Sequence, residues 1–163
     1  MARIGHFTLS RYFSGWNFLE DEKIPYNLLL LADETIEAIE KYIFNSELFV
    51  VEQGDEVIAI YALYVLNKDE IEIKNIAVIE AHQGQGIGRL LLQDATNKAR
   101  ERGFKALLIG TPDSAIKQLR IYQKAGFEMF GVKKRFFIEN YPEPIFENGV
   151  QLEDMVMLRK LLQ

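Results

Sequence analysis

The chain of 163 residues contains no cysteine, which excludes disulfides, thiolate metal sites and a cysteine nucleophile and suits a reducing cytoplasm. Imidazole comes only from His6 and His82, far apart in sequence, so a histidine-based metal site is not expected. Positive charge is in deficit: 19 Lys and Arg stand against 24 Asp and Glu, a formal net charge of -5. A sequence-independent grip on nucleic acid needs the opposite balance. No apolar run is long enough to span a bilayer, and the opening Met1-Ala2-Arg3-Ile4-Gly5-His6 lacks the apolar core of a signal peptide. Repeats, low-complexity tracts and linkers are also missing. The expectation left standing is a cytoplasmic globular protein of one domain, 1–163, with no metal and with neither nucleic acid nor membrane as partner.

What is present alternates between the two structural periods. Ile4 to Tyr12 reads as a strand, Pro25 opens a short helical stretch through Leu31, and Asp33 is expected to cap a helix carrying Ile36, Ile39 and Ile43. Leu48 to Glu52, Val57 to Leu66 and Glu70 to Ile79 read as strands; the short turns between them predict an antiparallel meander. Ile87, Leu91, Ala95 and Ala99 make one apolar helix face, Gly103 stops that helix, and Lys105 to Ile109 reads as a buried parallel strand. Strand, helix, strand implies a right-handed crossover. Asp113 or Ser114 is expected to cap a further helix ending at Gly126, followed by strands from Phe127 to Ile138 and from Leu152 to Arg159. The order predicts an α/β domain, a mixed sheet with helices on both faces.

Between the third meander strand and the long helix stands Gln83-Gly84-Gln85-Gly86-Ile87-Gly88. Glycine at every second position lets backbone N–H groups approach a bulky anion, and the helix that follows adds unsatisfied amides and the positive end of its dipole. A dinucleotide fingerprint does not fit, because the third glycine comes one place early and Phe104 to Leu108 offers no acid. A nucleotide-triphosphate loop fails too, since Arg89-Leu90 supplies neither its lysine nor its hydroxyl. The bland alternative, glycines that merely turn the chain, leaves their number unexplained.

Q-x-x-G-x-G at a strand-to-helix corner resembles the GNAT superfamily of acyl-CoA-dependent N-acyltransferases, most closely from Glu70 through Phe127. The resemblance implies a GNAT-like fold, its mostly antiparallel sheet splayed between strands 4 and 5. It implies acetyl-CoA as cofactor, coenzyme A as product and no metal. The pyrophosphate role would fall on Gln83, Gly84, Gln85, Gly86, Ile87, Gly88 and Arg89. The pantetheine arm would pair with the strand at Ile76, Ala77 and Val78, a form of β-augmentation. Ser114 stands where many relatives have a cofactor-contacting asparagine.

Two side chains match family positions for proton transfer. Glu72 sits where several members place a general base, and an alkyl amine of pKa ~10.4 must lose a proton at a cost of roughly 4–5 kcal/mol before it attacks a thioester. Its competing reading is one polar residue of an alternating strand. Tyr122, in the Tyr-x-x-x-Gly-Phe run that ends at Phe127, matches the tyrosine that protonates the departing thiolate; a core tyrosine is the competitor. The resemblance implies an amine acceptor, small-molecule (a polyamine or aminoglycoside) or peptide, and direct transfer in a ternary complex is expected because no residue suggests a covalent carrier. Its pocket falls by resemblance near Glu20-Asp21-Glu22 and Glu139, Glu143 and Glu147, with Trp16, Phe18 and Tyr26 as candidate lining. Lys133-Lys134-Arg135 reads as a solvated strand edge before it reads as a phosphate contact. Dimers are frequent in the family, which leaves a homodimer open. Two other functions remain: a non-catalytic module that senses acetyl-CoA, and a mononucleotide-binding regulatory domain.

Overall fold

Short turns dictate the first half of the fold. The computed structural model describes the backbone of residues 2–14 and 24–163, with side chains for 5–11 and from 24 onward. Trp16, Phe18, Glu20, Asp21 and Glu22 lie outside the described residues. The single strand expected at Ile4 to Tyr12 is two, β1 (Ala2–Ile4) and β2 (Phe7–Ser14), because Gly5 at φ 62 folds the chain back and sets Ile4 opposite Phe7. A short helix α1 (Tyr26–Leu29) and α2 (Ile36–Ile43) precede the meander β3 (Ser46–Gln53), β4 (Glu56–Val65) and β5 (Glu70–Val78). The cap of α2 is Thr35, not Asp33; the Asp33 carboxylate accepts instead from the Tyr42 hydroxyl at 3.2 Å. The long helix α3 (Ile87–Glu101) leads to β6 (Ala106–Pro112) and then α4 (Ile116–Lys124). The chain closes with β7 (Glu128–Lys133), α5 (Phe136–Glu139), the hairpin β8 (Phe146–Glu147) and β9 (Val150–Gln151), and β10 (Met155–Leu161).

By internal contacts the chain divides into Met1–Val65 with Ile73–Ala95, and Leu66–Glu72 with Thr96–Gln163. In the first unit the strand order is β1-β2-β3-β4-β5, with β1 to β4 antiparallel neighbours. Its core has two sides, which is why β3 and β4 read as nearly continuous apolar runs. Leu48, Val50, Ile60 and Ala62 pack with Leu29, Ile39, Tyr42 and Ile43 of α1 and α2. The alternate residues turn the other way: Phe49 stacks on Tyr61 at 4.8 Å, and Leu9 and Val51 line one small cavity with Ile87, Leu90 and Leu91 of α3.

In the second unit the order is β6-β10-β7, with β10 antiparallel to both its neighbours. Close packing of β10 on β6 explains Gly110, where a Cβ would come within 2.7 Å of the Met155 sulfur. The strand expected to run to Ile138 stops at Lys133, since Arg135 is held in the left-handed region at φ 57 and α5 follows. Asp154 fixes that corner: its Oδ1 accepts from the Arg135 N–H at 2.8 Å and its Oδ2 from Lys134 Nζ at 3.1 Å. The backbone bond, then the Lys134 bond, hold its carboxyl below the usual carboxylate range. Lys134 is thus engaged by the segment just before β10. Asn148-Gly149, both at positive φ, make the tight turn of the β8–β9 hairpin, an Asn-Gly signal not read from the sequence above. No described helix is long and apolar enough to cross a membrane.

Candidate cofactor and acyl-transfer site

The glycine loop is built to leave amides open. A 3-10 turn, Glu80–His82, leads out of β5; Gly84 and Gly86 then take φ 75 and 85, conformations that cost a side-chain-bearing residue about 1–2 kcal/mol. The first helical hydrogen bond of α3 runs from Leu90 N–H to the Gly86 carbonyl at 3.1 Å, so the amides ahead of it have no intrahelical acceptor. Among the described residues, no carbonyl or side chain accepts from the N–H groups of residues 84–89. Nor does the helix neutralise this end itself, for its first turn holds no acid and does hold the exposed Arg89.

Gly88 is the sharper observation. It is helical, where glycine costs roughly 0.5–1 kcal/mol relative to alanine, and a Cβ there would meet nothing within 4 Å. Nothing inside the described chain demands a glycine at this point. Its missing side chain leaves room for a bulky anion against the start of α3. Open space over Gly84, Gly86 and Gly88, unpartnered amides and a cation in the first turn together fit a diphosphate.

Other residues hold the loop in this shape. Gln83 Nε2 donates to the Val78 carbonyl at 2.9 Å, so its side chain closes the loop onto the end of β5. His82 lies against Gln53 Oε1 at 2.8 Å through Nε2. The Ile87 side chain is buried, which leaves its backbone N–H as what it offers a ligand. Two anchors were missed in the sequence. Asn75, buried in β5, donates to the Leu29 carbonyl at 2.9 Å and to the Tyr42 hydroxyl at 3.0 Å, fastening the strand to α1 and α2. The Tyr61 hydroxyl donates to the Asp94 carboxylate, fastening α3 to β4. Burial, then that bond, pushes the Tyr61 phenol well above its ordinary value. The only signal for either anchor was a polar residue inside an apolar pattern.

Ile76, Ala77 and Val78 lie beside the loop on β5, Ala77 buried and its neighbours half-buried. Glu72, in the second unit, is only 5% exposed, with Ile71 and Ile73 buried on either side. It is therefore no solvated residue of an alternating strand. A carboxylate buried to this degree is held by partners, and Glu72 has them.

Tyr122 is 8% exposed and its phenol is pushed up to about 12 by burial alone. The Tyr-x-x-x-Gly-Phe spacing has a mechanical reason. Gly126 at φ 97 ends α4 in a Schellman motif, with Phe127 N–H donating to the Tyr122 carbonyl at 3.0 Å and Gly126 N–H to Gln123 at 3.0 Å. The hydrophobic contact that accompanies such a motif is Tyr122 against Phe127, ring centres 6.3 Å apart. Glycine and phenylalanine thus lock the tyrosine's turn of helix. Neither Asp113 nor Ser114 caps α4; the cap position is Ala115, without a side-chain bond, and Ser114 is exposed. Glu139, Glu143 and Glu147 are also exposed, Glu139 lying 3.7 Å from Arg135.

Residues 15–127 match the model of the acetyltransferase (GNAT) family. The uncharacterized N-acetyltransferase YvbK of Bacillus subtilis is 42% identical over 133 residues, 82% of this chain and 86% of that protein. A GNAT family acetyltransferase from Elizabethkingia anophelis, solved with acetyl-CoA bound, superposes at TM-score 0.89 with 42% identity, over 98% of this chain and 100% of its own. A Bacillus subtilis acetyltransferase in complex with CoA superposes at 0.82 with 36% identity, over 96% and 99%. The chain has the mixed α/β fold of these enzymes and belongs to the GNAT family of acetyltransferases.

Proposed function

We propose that residues 1–163 act as one cytoplasmic N-acetyltransferase domain that moves an acetyl group from acetyl-CoA to an amine, on a small molecule or a peptide, by direct transfer in a ternary complex. The observation that carries this is the set of open amides at 84–89 over glycines with free space. Acetyl-CoA, when bound, supplies an activated thioester. The amides of residues 84–89 and the Arg89 guanidinium hold its diphosphate, and the backbone of Ile76 to Val78 orients the acyl arm. Two relatives solved with acetyl-CoA or CoA support that cofactor.

Glu72 takes the proton that the acceptor ammonium must lose. Burial keeps the Tyr122 phenol protonated across the working range. With its pKa at about 12, full transfer to a thiolate of ordinary pKa ~8.5 is uphill by roughly 5 kcal/mol. Tyr122 therefore serves the leaving sulfur chiefly through the hydrogen bond it donates, a weaker role than outright protonation. Ser114 contributes a hydroxyl at the exposed start of α4.

The test is acceptor-dependent thiol release across an amine panel, run beside calorimetry with CoA. Wild type should turn over at least one primary amine. Tyr122→Phe should lose about 100-fold in kcat with KM for acetyl-CoA unchanged, the scale of one transition-state hydrogen bond. Glu72→Gln should lose 10- to 100-fold at pH 7, approximately, and recover as pH nears the amine's own pKa of ~10.4. CoA binding with no amine-dependent release would make the protein a sensor instead.

A further inference from the structure

The second unit holds a cleft that shares no residue with the acetyl-transfer machinery. The turn from β4 into β5 forms one wall, and the start of β6 with the last residues of β10 forms the other. The space between them is about 510 Å³, within the range of roughly 300–1,000 Å³ usual for small-molecule sites. Its walls are fixed in advance. Asn67 Oδ1 accepts from the N–H groups of Asp69 at 2.9 Å and Glu70 at 3.0 Å, which folds the turn. The Asp69 carbonyl accepts from the Lys105 and Ala106 N–H groups at 2.8 and 3.1 Å, tying the turn to β6. Leu162 N–H donates to the Lys105 carbonyl at 2.8 Å and brings in the end of β10.

The lining reverses the sign of the chain. Against a net charge of -5, three cations (Lys68, Lys105 and Arg159) face two acids here. Both acids are engaged within the wall: Asp69 Oδ1 lies 3.1 Å from Lys105 Nζ, and Glu70 Oε2 accepts from Asn67 Nδ2 at 2.9 Å. Lys68 and Arg159 have no ion-pair partner among the described residues. Glu128 stands opposite Arg159 in register, yet the guanidinium lies over the Phe130 ring instead, 5.0 Å from its centre. A ring that takes a guanidinium by its flat face leaves the N–H fork, which points outward in the plane, free for an oxyanion. Leu161, 63% exposed, adds apolar surface beside it.

We infer that this cleft binds a small polyanion carrying carboxylate or phosphate groups. Arg159 takes one oxyanion through two N–H donors, Lys68 takes a second, and Leu161 lies along the body that joins them. The glycine loop contributes nothing to it, so the two sites stand or fall separately.

Nitrogen-resolved NMR on the full chain without CoA tests this, with citrate and inorganic phosphate titrated separately; the tighter anion identifies the preferred oxyanion. That anion should move the Arg159 Nε–H signal and the amides of residues 68–70, 105 and 106 on one saturable curve, with Kd about 1 mM or tighter. Lys68, Lys124 and Arg159 are exposed, so variants there should unfold at the wild-type temperature. Arg159→Gln should weaken binding about tenfold and Lys68→Gln about threefold. Arg159→Lys keeps the charge without the fork and should recover only part of the loss. Lys124→Gln, on α4, should change nothing. Shifts confined to residues 84–89, no saturation with either anion, wild-type binding by Arg159→Gln, or an equal loss in Lys124→Gln would each overturn the inference.

Discussion

Helices α2 and α3 begin in opposite ways. At α2, Thr35 sits in extended backbone and its hydroxyl accepts from the Ala38 N–H at 3.1 Å, with Glu37 in the first turn facing the dipole. At α3 there is no acid in the first turn; a glycine and an arginine stand there instead, and the amides of residues 84–89 lack acceptors among the described residues. The C-terminal end of the same helix is finished with care. Gly103 N–H donates to Arg100, Phe104 N–H to Ala99, and Lys98 and Arg100 occupy the last turn. An uncapped start on an otherwise well-made helix is not poor construction. It is stability forgone where open amides are left as donors.

The comparison breaks most visibly at Gly86. Gly86→Val adds strain at φ 85 and fills the open space over the loop; acetyl-CoA affinity should fall roughly 100- to 1,000-fold by calorimetry. Helix α4, with its buried Tyr122, offers a second probe, in alkali. Because burial raises the Tyr122 phenol from its ordinary value near 10 to about 12, its stabilising contribution is complete below pH 10 and is lost as pH climbs from there to about 12. Relative to Tyr122→Phe, wild type should therefore lose about 3 kcal/mol across that window in urea titrations. Gly88→Ala sharpens the contrast most cleanly, since stability and binding should move in opposite directions. Removing a helical glycine should raise Tm by about 2–4 °C, while KM for acetyl-CoA should rise about tenfold. Thr35→Ala supplies the control at the other helix: about 1 kcal/mol of stability lost, with KM for acetyl-CoA unmoved.

Much of this contrast was legible in the sequence, because glycine spacing and periodicity are local. The strand, loop and helix from Glu70 to Glu101 follow from them, as does the stop at Gly103. The cap of α2 was misplaced by two residues because Asp33 and Thr35 are both good caps; what decides between them is Tyr42, nine residues on, which takes the Asp33 carboxylate as its acceptor. The end of β7 was overrun for a similar reason. Phe136 and Phe137 suit a strand, and only the remote Asp154, bonded to Arg135, turns the chain there. Glu72 shows the same limit at the candidate site, since alternation in Glu70-Ile71-Glu72-Ile73 predicts a solvated face, whereas packing buries the carboxylate. Long-range partners, not local preference, settled each of these.

Amide proton chemical shifts, followed by nitrogen-resolved NMR while CoA is titrated in, address the open helix start most directly. The N–H signals of residues 84–89 should move downfield as they become donors to phosphate, while those of Ile36, Glu37 and Ala38 at the capped start of α2 stay in place. Saturating CoA that leaves residues 84–89 unmoved would contradict the account.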